Sequence, residues 1–184
     1  MPSQDRRERA LAERGALIVR AARELAEADG WDAVTTRRLA EAVEYSQPVL
    51  YSHFKNMQAI VTAVALEGMA ELAEVLRSAR EADGIRGLAE AYLGYAEAHP
   101  AVYAAIFTRR TDLVFGTAES PEILKTTFGE LHAAVAPYAS GDAETLTEVF
   151  WSAMHGQATL NHDRRLRPAQ RTDRIEQLVR LVTG

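Results

Sequence analysis

The sequence predicts an all-α chain whose front module is set apart from a larger helical remainder. Three observations lead there. Apolar residues recur at helical rather than alternating spacing along almost the whole length. Capping residues, prolines and glycines punctuate that pattern where helices would start and stop. Three short helical stretches crowd into residues 1–56, ahead of a longer series over 57–184 that brings the expected total to about nine. No alternating strand pattern, internal repeat or low-complexity linker interrupts them.

A first helix from about Arg6 to Ala28 lines up Leu11, Ile18, Ala22 and Leu25, and Asp29-Gly30 ends it with a residue able to take positive φ. The second begins at Thr35, a good N-cap, and turns Leu39 and Ala40 inward. A third begins at Ser46, another capping residue, with Pro48 in its first turn, where a missing amide proton costs little. The long helix from about Met57 to Ala82 carries Ile60, Val64, Leu72 and Leu76 and stops at Asp83-Gly84. Further helices are expected over 85–98, 100–107, 121–136, 142–160 and 168–182, with 108–119 a loop. Ser120-Pro121-Glu122 supplies a capping hydroxyl, a proline at the first helical position and a carboxylate at the positive end of the helix dipole.

Composition narrows the function classes. With 184 residues the chain can bury a real core in one or two domains. Its 47% hydrophobic and 26% charged residues are ordinary for a globular protein and argue against disorder or a mostly membrane-embedded chain. The absence of cysteine excludes disulfides and thiolate chemistry and suits a reducing cytoplasm, the expected location. The charged start, MPSQDRRERALAERG, has no apolar core, and no run of about 18 apolar residues occurs, so neither export nor membrane spanning is expected. Residues 1–56 hold nine basic against nine acidic side chains and the remainder 12 against 17, so the net charge of -5 lies downstream. A neutral front module can hold nucleic acid only through local placement of basic groups and helix N-termini. His99, His132 and His162 lack metal-ligand spacing, and neither a metal nor a cofactor is expected.

The informative segment is TTRRLAEAVEYSQPVLYSHFKN, residues 35–56. Its spacing suits a helix, a tight turn and a second helix of the DNA-reading kind. Leu39, Ala40, Val43, Leu50 and Phe54 can turn inward while Gln47, Pro48, Val49, Ser52 and His53 stay outside. On pattern alone an ordinary antiparallel helix pair fits equally well.

The Gly30-Trp31 turn, Thr35, the run Leu39-Ala40-Glu41, Ser46, Leu50-Tyr51 and His53-Phe54 decide between these. From Ala16 to Ile60 they resemble the N-terminal domain of the TetR family of bacterial repressors, and QPVLYSHFKN resembles that family's recognition helix. The resemblance implies that the helix from Ser46 enters the major groove. Gln47 can then pair bidentately with an adenine edge, and Pro48 and Val49 can touch a thymine methyl. Thr36, Arg37, Tyr51, His53 and Lys55 suit phosphates, which position without reading sequence, and Ser46 and Ser52 complete the DNA-facing set. Tyr51 as plain core, His53 as an idle surface group and Arg37 as a solvated charge are the bland alternatives. Three positions depart from the family pattern: Glu44 replaces the turn glycine, Tyr45 the inward turn valine, and Met57 a phosphate-holding lysine for which Lys55 can substitute.

Farther on, AHPAVYAAIF (98–107) and WSAMHG (151–156) resemble a TetR C-terminal subfamily named for a Trp-His-Gly signature, here Trp151, His155 and Gly156. Trp151 and His155 share a helix face, either lining a cavity or packing as a core pair. The resemblance implies a small-molecule effector site, for which Tyr92, Tyr95, Tyr103, Phe107, Phe128, Trp151 and His155 are the candidates. The helix from Met57 would serve as the lever to the DNA-reading module. In the last two helices Leu146, Val149, Phe150, Ile175, Leu178, Val179 and Val182 form stripes wide enough to pack twice. The family pairs such helices into a four-helix homodimer bundle that matches a palindromic operator DNA. The expected protein is a ligand-released repressor and no enzyme. The alternatives are a helical enzyme built on His155 and Glu148, or an adaptor that lost DNA binding through Glu44 and Met57.

Overall fold

A computed structural model describes residues 2–184, with side chains described from residue 6. Among the described residues there are eight α-helices and no strand. The chain packs as two compact units. One is the described part of Met1–Gly68 together with Ala101–Leu113; the other is Met69–Pro100 together with Val114–Gly184. The sequence places a division at residue 56, whereas packing divides the chain after Gly68 and returns Ala101–Leu113 to the first unit.

In the first unit α1 (Pro2–Asp29) buries Ile18, Val19, Ala22 and Ala26 at helical spacing. It begins earlier than expected, and Leu11, expected on the buried stripe, is 55% exposed. Leu11's helical neighbours are Arg7, Glu8, Arg14 and Gly15, so no apolar patch forms around it. Gly30, at φ 80°, ends the helix, and a single tight turn over Trp31–Ala33 buries the Trp31 ring. Helix α2 (Thr36–Ala42) is capped as expected, with Thr35 Oγ1 accepting from the Arg38 amide at 3.2 Å. Helix α3 (Gln47–His53) starts after Ser46, whose side chain makes no capping bond; only its carbonyl is used, accepting from Val49 and Leu50. Helices α1, α2 and α3 touch one another pairwise. The fully buried Leu39 and Leu50, each contributing about 1.5–3 kcal/mol by leaving water, fix the α2 and α3 faces that point inward.

Two helices expected at 57–82 and 85–98 form one element, α4 (Met57–Ala98), broken at the expected place. Asp83 and Gly84 leave helical geometry there, and Gly84 adopts φ 57°, ψ -143°, a conformation open to glycine. Gly87 is required by close approach, since a Cβ on it would lie 2.6 Å from the Ala79 carbonyl oxygen. Helix α5 (Pro100–Phe107) follows, and the loop over 108–119 is non-helical as expected.

The second unit is built on α6 (Glu122–Val135), α7 (Ala143–His162) and α8 (Arg171–Thr183), with contacts between α6 and α7 and between α7 and α8. Ser120 does not cap α6: Pro121 is its N-cap, and the Ser120 hydroxyl instead accepts from the Thr117 amide at 3.1 Å, closing the preceding turn. Asp142 caps α7, accepting from the Glu144 and Thr145 amides, and the Thr145 hydroxyl followed by the Thr145 amide holds its carboxyl below the usual range. Pro168 opens a separate single turn before α8. Leu72, Leu76, Leu88, Tyr92, Phe150, Met154 and Ile175 are the largest fully buried side chains of this unit. Among the described residues no helix is long and apolar enough to cross a membrane, and no group of three or more His, Asp or Glu side chains gathers to hold a metal ion.

Candidate nucleic-acid interface

Helix α3 turns one face out because Leu50, 1% exposed, anchors the opposite face in the core of its unit. Gln47, Pro48, Tyr51 and Ser52 are exposed, as is Ser46 just ahead of them, while Val49 and His53 are half-buried at the edges of the face. Phe54, expected inside, is also only half-buried, because it ends the helix in extended backbone. Tyr51 is 50% exposed, which rules out the plain core role. The turn ahead of α3 closes through Tyr45 N to Ala40 O at 3.0 Å and places Glu44 at φ 55°. Glu44 thus occupies the left-handed site that a glycine would fill without strain, at a cost of roughly 1–2 kcal/mol for a side chain.

Five of the polar candidates around this face, Thr36, Arg37, Tyr51, Ser52 and Lys55, are already engaged. Thr36 Oγ1 and Tyr51 Oη are 3.0 Å apart, bringing the start of α2 and the middle of α3 to one point. Arg37 donates to Glu41 at 2.9 Å; that bond and the Glu41 charge raise the guanidinium's pKa further, so it stays charged in every accessible condition. Ser52 donates to the Val49 carbonyl at 2.7 Å, turning back on its own helix. Lys55 donates to Asp112 at 3.1 Å. The N-terminus of α4 is capped by Asn56, whose Oδ1 accepts from the Ala59 amide at 2.8 Å and leaves the positive end of the helix beside Lys55. Met57 is half-buried and offers no charge where the family pattern has lysine.

Three features of this unit had no local signal in the sequence. The Glu27 carboxylate accepts from the Ala101 and Val102 amides at 3.1 Å each, capping α5 from α1. Beside it, the buried Trp31 Nε1 donates to the Ala101 carbonyl at 2.7 Å. Arg109 adds a surface pair to Asp32 at 3.0 Å. These partners lie 70 to 77 positions apart, so only the folded chain brings them together.

The effector candidates fall in both units. Tyr103 and Phe107 belong to the first, where their rings are 4.8 Å apart and tilted by 56°. Tyr92, Tyr95, Phe128, Trp151 and His155 belong to the second. There Trp151 Nε1 donates to Tyr92 Oη at 3.0 Å, Tyr95 donates to Glu71 at 3.2 Å, and the Tyr95 and His99 rings are 4.9 Å apart. Tyr92, Tyr95 and Tyr103 are buried and the other four candidates half-buried. Partial burial pushes the His155 imidazole below its ordinary pKa, so it is neutral at neutral pH.

Comparison with known proteins gives matches in both units. Residues 18–64 match the family described as bacterial regulatory proteins, tetR family, and residues 85–182 match the tetracyclin repressor-like C-terminal domain. The chain is 30% identical over 149 residues to the HTH-type transcriptional regulator Rv0681 of Mycobacterium tuberculosis, a match covering 76% of this chain and 66% of that one. It is 44% identical over 54 residues to the class A tetracycline repressor from transposon 1721 of Escherichia coli, covering 29% of this chain and 25% of that protein. The matches thus span just under two thirds of the first relative and a quarter of the second. In fold the chain is similar to a protein of unknown function from Rhodococcus sp. RHA1, at 23% identity and TM-score 0.75, covering 93% of this chain and 96% of that one.

Proposed function

Because the chain belongs to the TetR family of DNA-binding transcription regulators, we propose that it is a repressor that holds a palindromic operator through α3 and lets go when a small molecule binds. The observation that carries this reading is the outward face of Gln47, Pro48, Tyr51 and Ser52 above the buried Leu50 anchor. On it Gln47 reads an adenine edge, and Pro48 and the rim of Val49 meet a thymine methyl. Thr36, Arg37, Tyr51, His53 and Lys55 take phosphates, and Ser46 and Ser52 border the groove. Residues 1–56 form the DNA-binding part in this reading and 57–184 the effector-binding and dimerisation part. Regulation rather than catalysis, in the cytoplasm, is the proposed role.

The operator's symmetry calls for two copies. Val149 and Leu160 on α7 and Leu181 on α8 are 60%, 42% and 83% exposed, while Phe150, Ile175 and Leu178 on the same helices are buried. Apolar side chains on both faces support a homodimer through α7 and α8. For the effector, Tyr92, Tyr95, Phe128, Trp151 and His155 of the second unit support a largely apolar small molecule, with Tyr103 and Phe107 of the first unit as separate candidates and α4 as the lever. Trp151, His155 and Gly156 support assignment to the Trp-His-Gly subfamily.

A gel shift with the DNA upstream of the chain's own gene tests the reading. It should give a specific complex of two chains per site. No preference for that DNA over random duplex would reject it, and a monomer in sedimentation at micromolar protein would reject the dimer.

A further inference from the structure

We infer that Asp112 is a built-in competitor for DNA phosphate: its carboxylate occupies the donors of Lys55 and Gln58, and full-strength binding requires Lys55 to leave it. The inference rests on the proposed phosphate role of Lys55. One Asp112 oxygen accepts from Lys55 Nζ at 3.1 Å and the other from Gln58 Nε2 at 2.6 Å. The Asp112 amide is 3.5 Å from Thr62 Oγ1, whose hydroxyl donates to the Gln58 carbonyl at 2.9 Å. A carboxylate here therefore accepts charge-assisted bonds from the side chains flanking the α4 N-terminus, as a phosphate oxygen pair would. Two anions crowded on one ammonium repel each other, so the carboxylate and a phosphate compete for Lys55.

The chain around Asp112 is held at two points, by Arg109 on Asp32 and by the Asp112 amide on Thr62, which keeps the carboxylate in place without its ion pair. Lys55 and Asp112 side chains are 70% and 52% exposed, so the pair is weak enough for a phosphate to displace. The cost is nevertheless felt, because Lys55 is the one lysine in a front module of nine basic and nine acidic side chains. Asp112 thus sets a ceiling on affinity that acts equally on any sequence.

Titration of labelled operator and random duplexes at several salt concentrations, using the full chain, tests this with Lys55→Ala, Asp112→Asn and the double variant. Asparagine keeps an acceptor for Gln58 and removes the charge. Asp112→Asn should tighten both duplexes about two- to five-fold, the weight of an exposed ion pair. It should also steepen the dependence of log affinity on log salt by up to about one unit, as for one more neutralised phosphate. Lys55→Ala should weaken both duplexes, and the double variant should match it. If Lys55→Ala weakens binding but Asp112→Asn leaves it unchanged or weakens it, the competition is overturned while the role of Lys55 stands. If Lys55→Ala changes neither affinity, the phosphate role falls and the competition with it.

Discussion

The hydroxyls of Thr36 and Tyr51 meet at 3.0 Å, joining the first residue of α2 to the exposed face of α3. Two hydroxyls sharing one hydrogen bond at the rim of the reading face can both turn to a single phosphate oxygen, since each can donate as well as accept. Their position also registers α3 against α2.

Tyr51→Phe keeps the ring and removes this meeting point. It should weaken binding to operator and random duplex alike by about 0.5–1.5 kcal/mol, the net value of a neutral hydrogen bond. Circular dichroism should be unchanged. A loss confined to operator DNA would move Tyr51 from phosphate to base contact.

Glu44 sits at φ 55° in the turn before α3. Glu44→Gly should raise stability by about 0.5–1 kcal/mol, the left-handed strain relieved less the extra chain entropy of glycine. Glu44→Ala removes the charge but keeps the strain and should leave the melting temperature near the parent's. A gain from alanine equal to that from glycine would assign the effect to charge instead.

The Glu27 carboxylate takes two amides at the start of α5. Hydrogen bonds to a charged acceptor contribute about 1.5–3 kcal/mol, so Glu27→Ala should lower unfolding free energy by about that much in urea titration, and Glu27→Gln by less. An unchanged midpoint for both would show that water replaces the carboxylate at no cost.

His155 gives a pH dependence with a definite sign. Its folded pKa is depressed by burial, so the unfolded chain binds the proton more readily. The stability it contributes is present above the unfolded value and is lost as pH falls below about 6.5. His155→Phe should flatten the loss of stability that sets in as pH falls below about 6.5, leaving the steeper loss where Asp142 and Glu119, both held below the usual carboxylate range by hydrogen bonds, take up protons. Parallel curves for parent and variant would contradict this.

The helices and their order were legible because their signals are local. Thr35 caps where it should, Asp83-Gly84 breaks α4 where it should, and the period-3.6 pattern finds Leu39 and Leu50. Errors arose where one residue had two local options. Ser120 carries a capping hydroxyl but spends it on the Thr117 amide, and Leu11 sits in helical register with Ile18 but finds no apolar neighbour. The outward face of α3 was readable from Gln47, Pro48 and Ser52 around Leu50. The long-range pairings of the same unit were not, because Asp112 reaches Lys55 across 57 positions and Glu27 reaches Val102 across 75. Such pairings are set by packing and leave no periodic trace in the chain.

The outward presentation of α3 for base reading is the claim on which the rest depends, and Gln47→Ala tests it most directly. Parent and variant are titrated against the DNA upstream of the gene and against a scrambled duplex at matched salt. The account predicts a loss of about 1–3 kcal/mol on the upstream DNA with scrambled binding unaltered, as for a lost bidentate base contact. An equal change on both duplexes, or none on either, would contradict it.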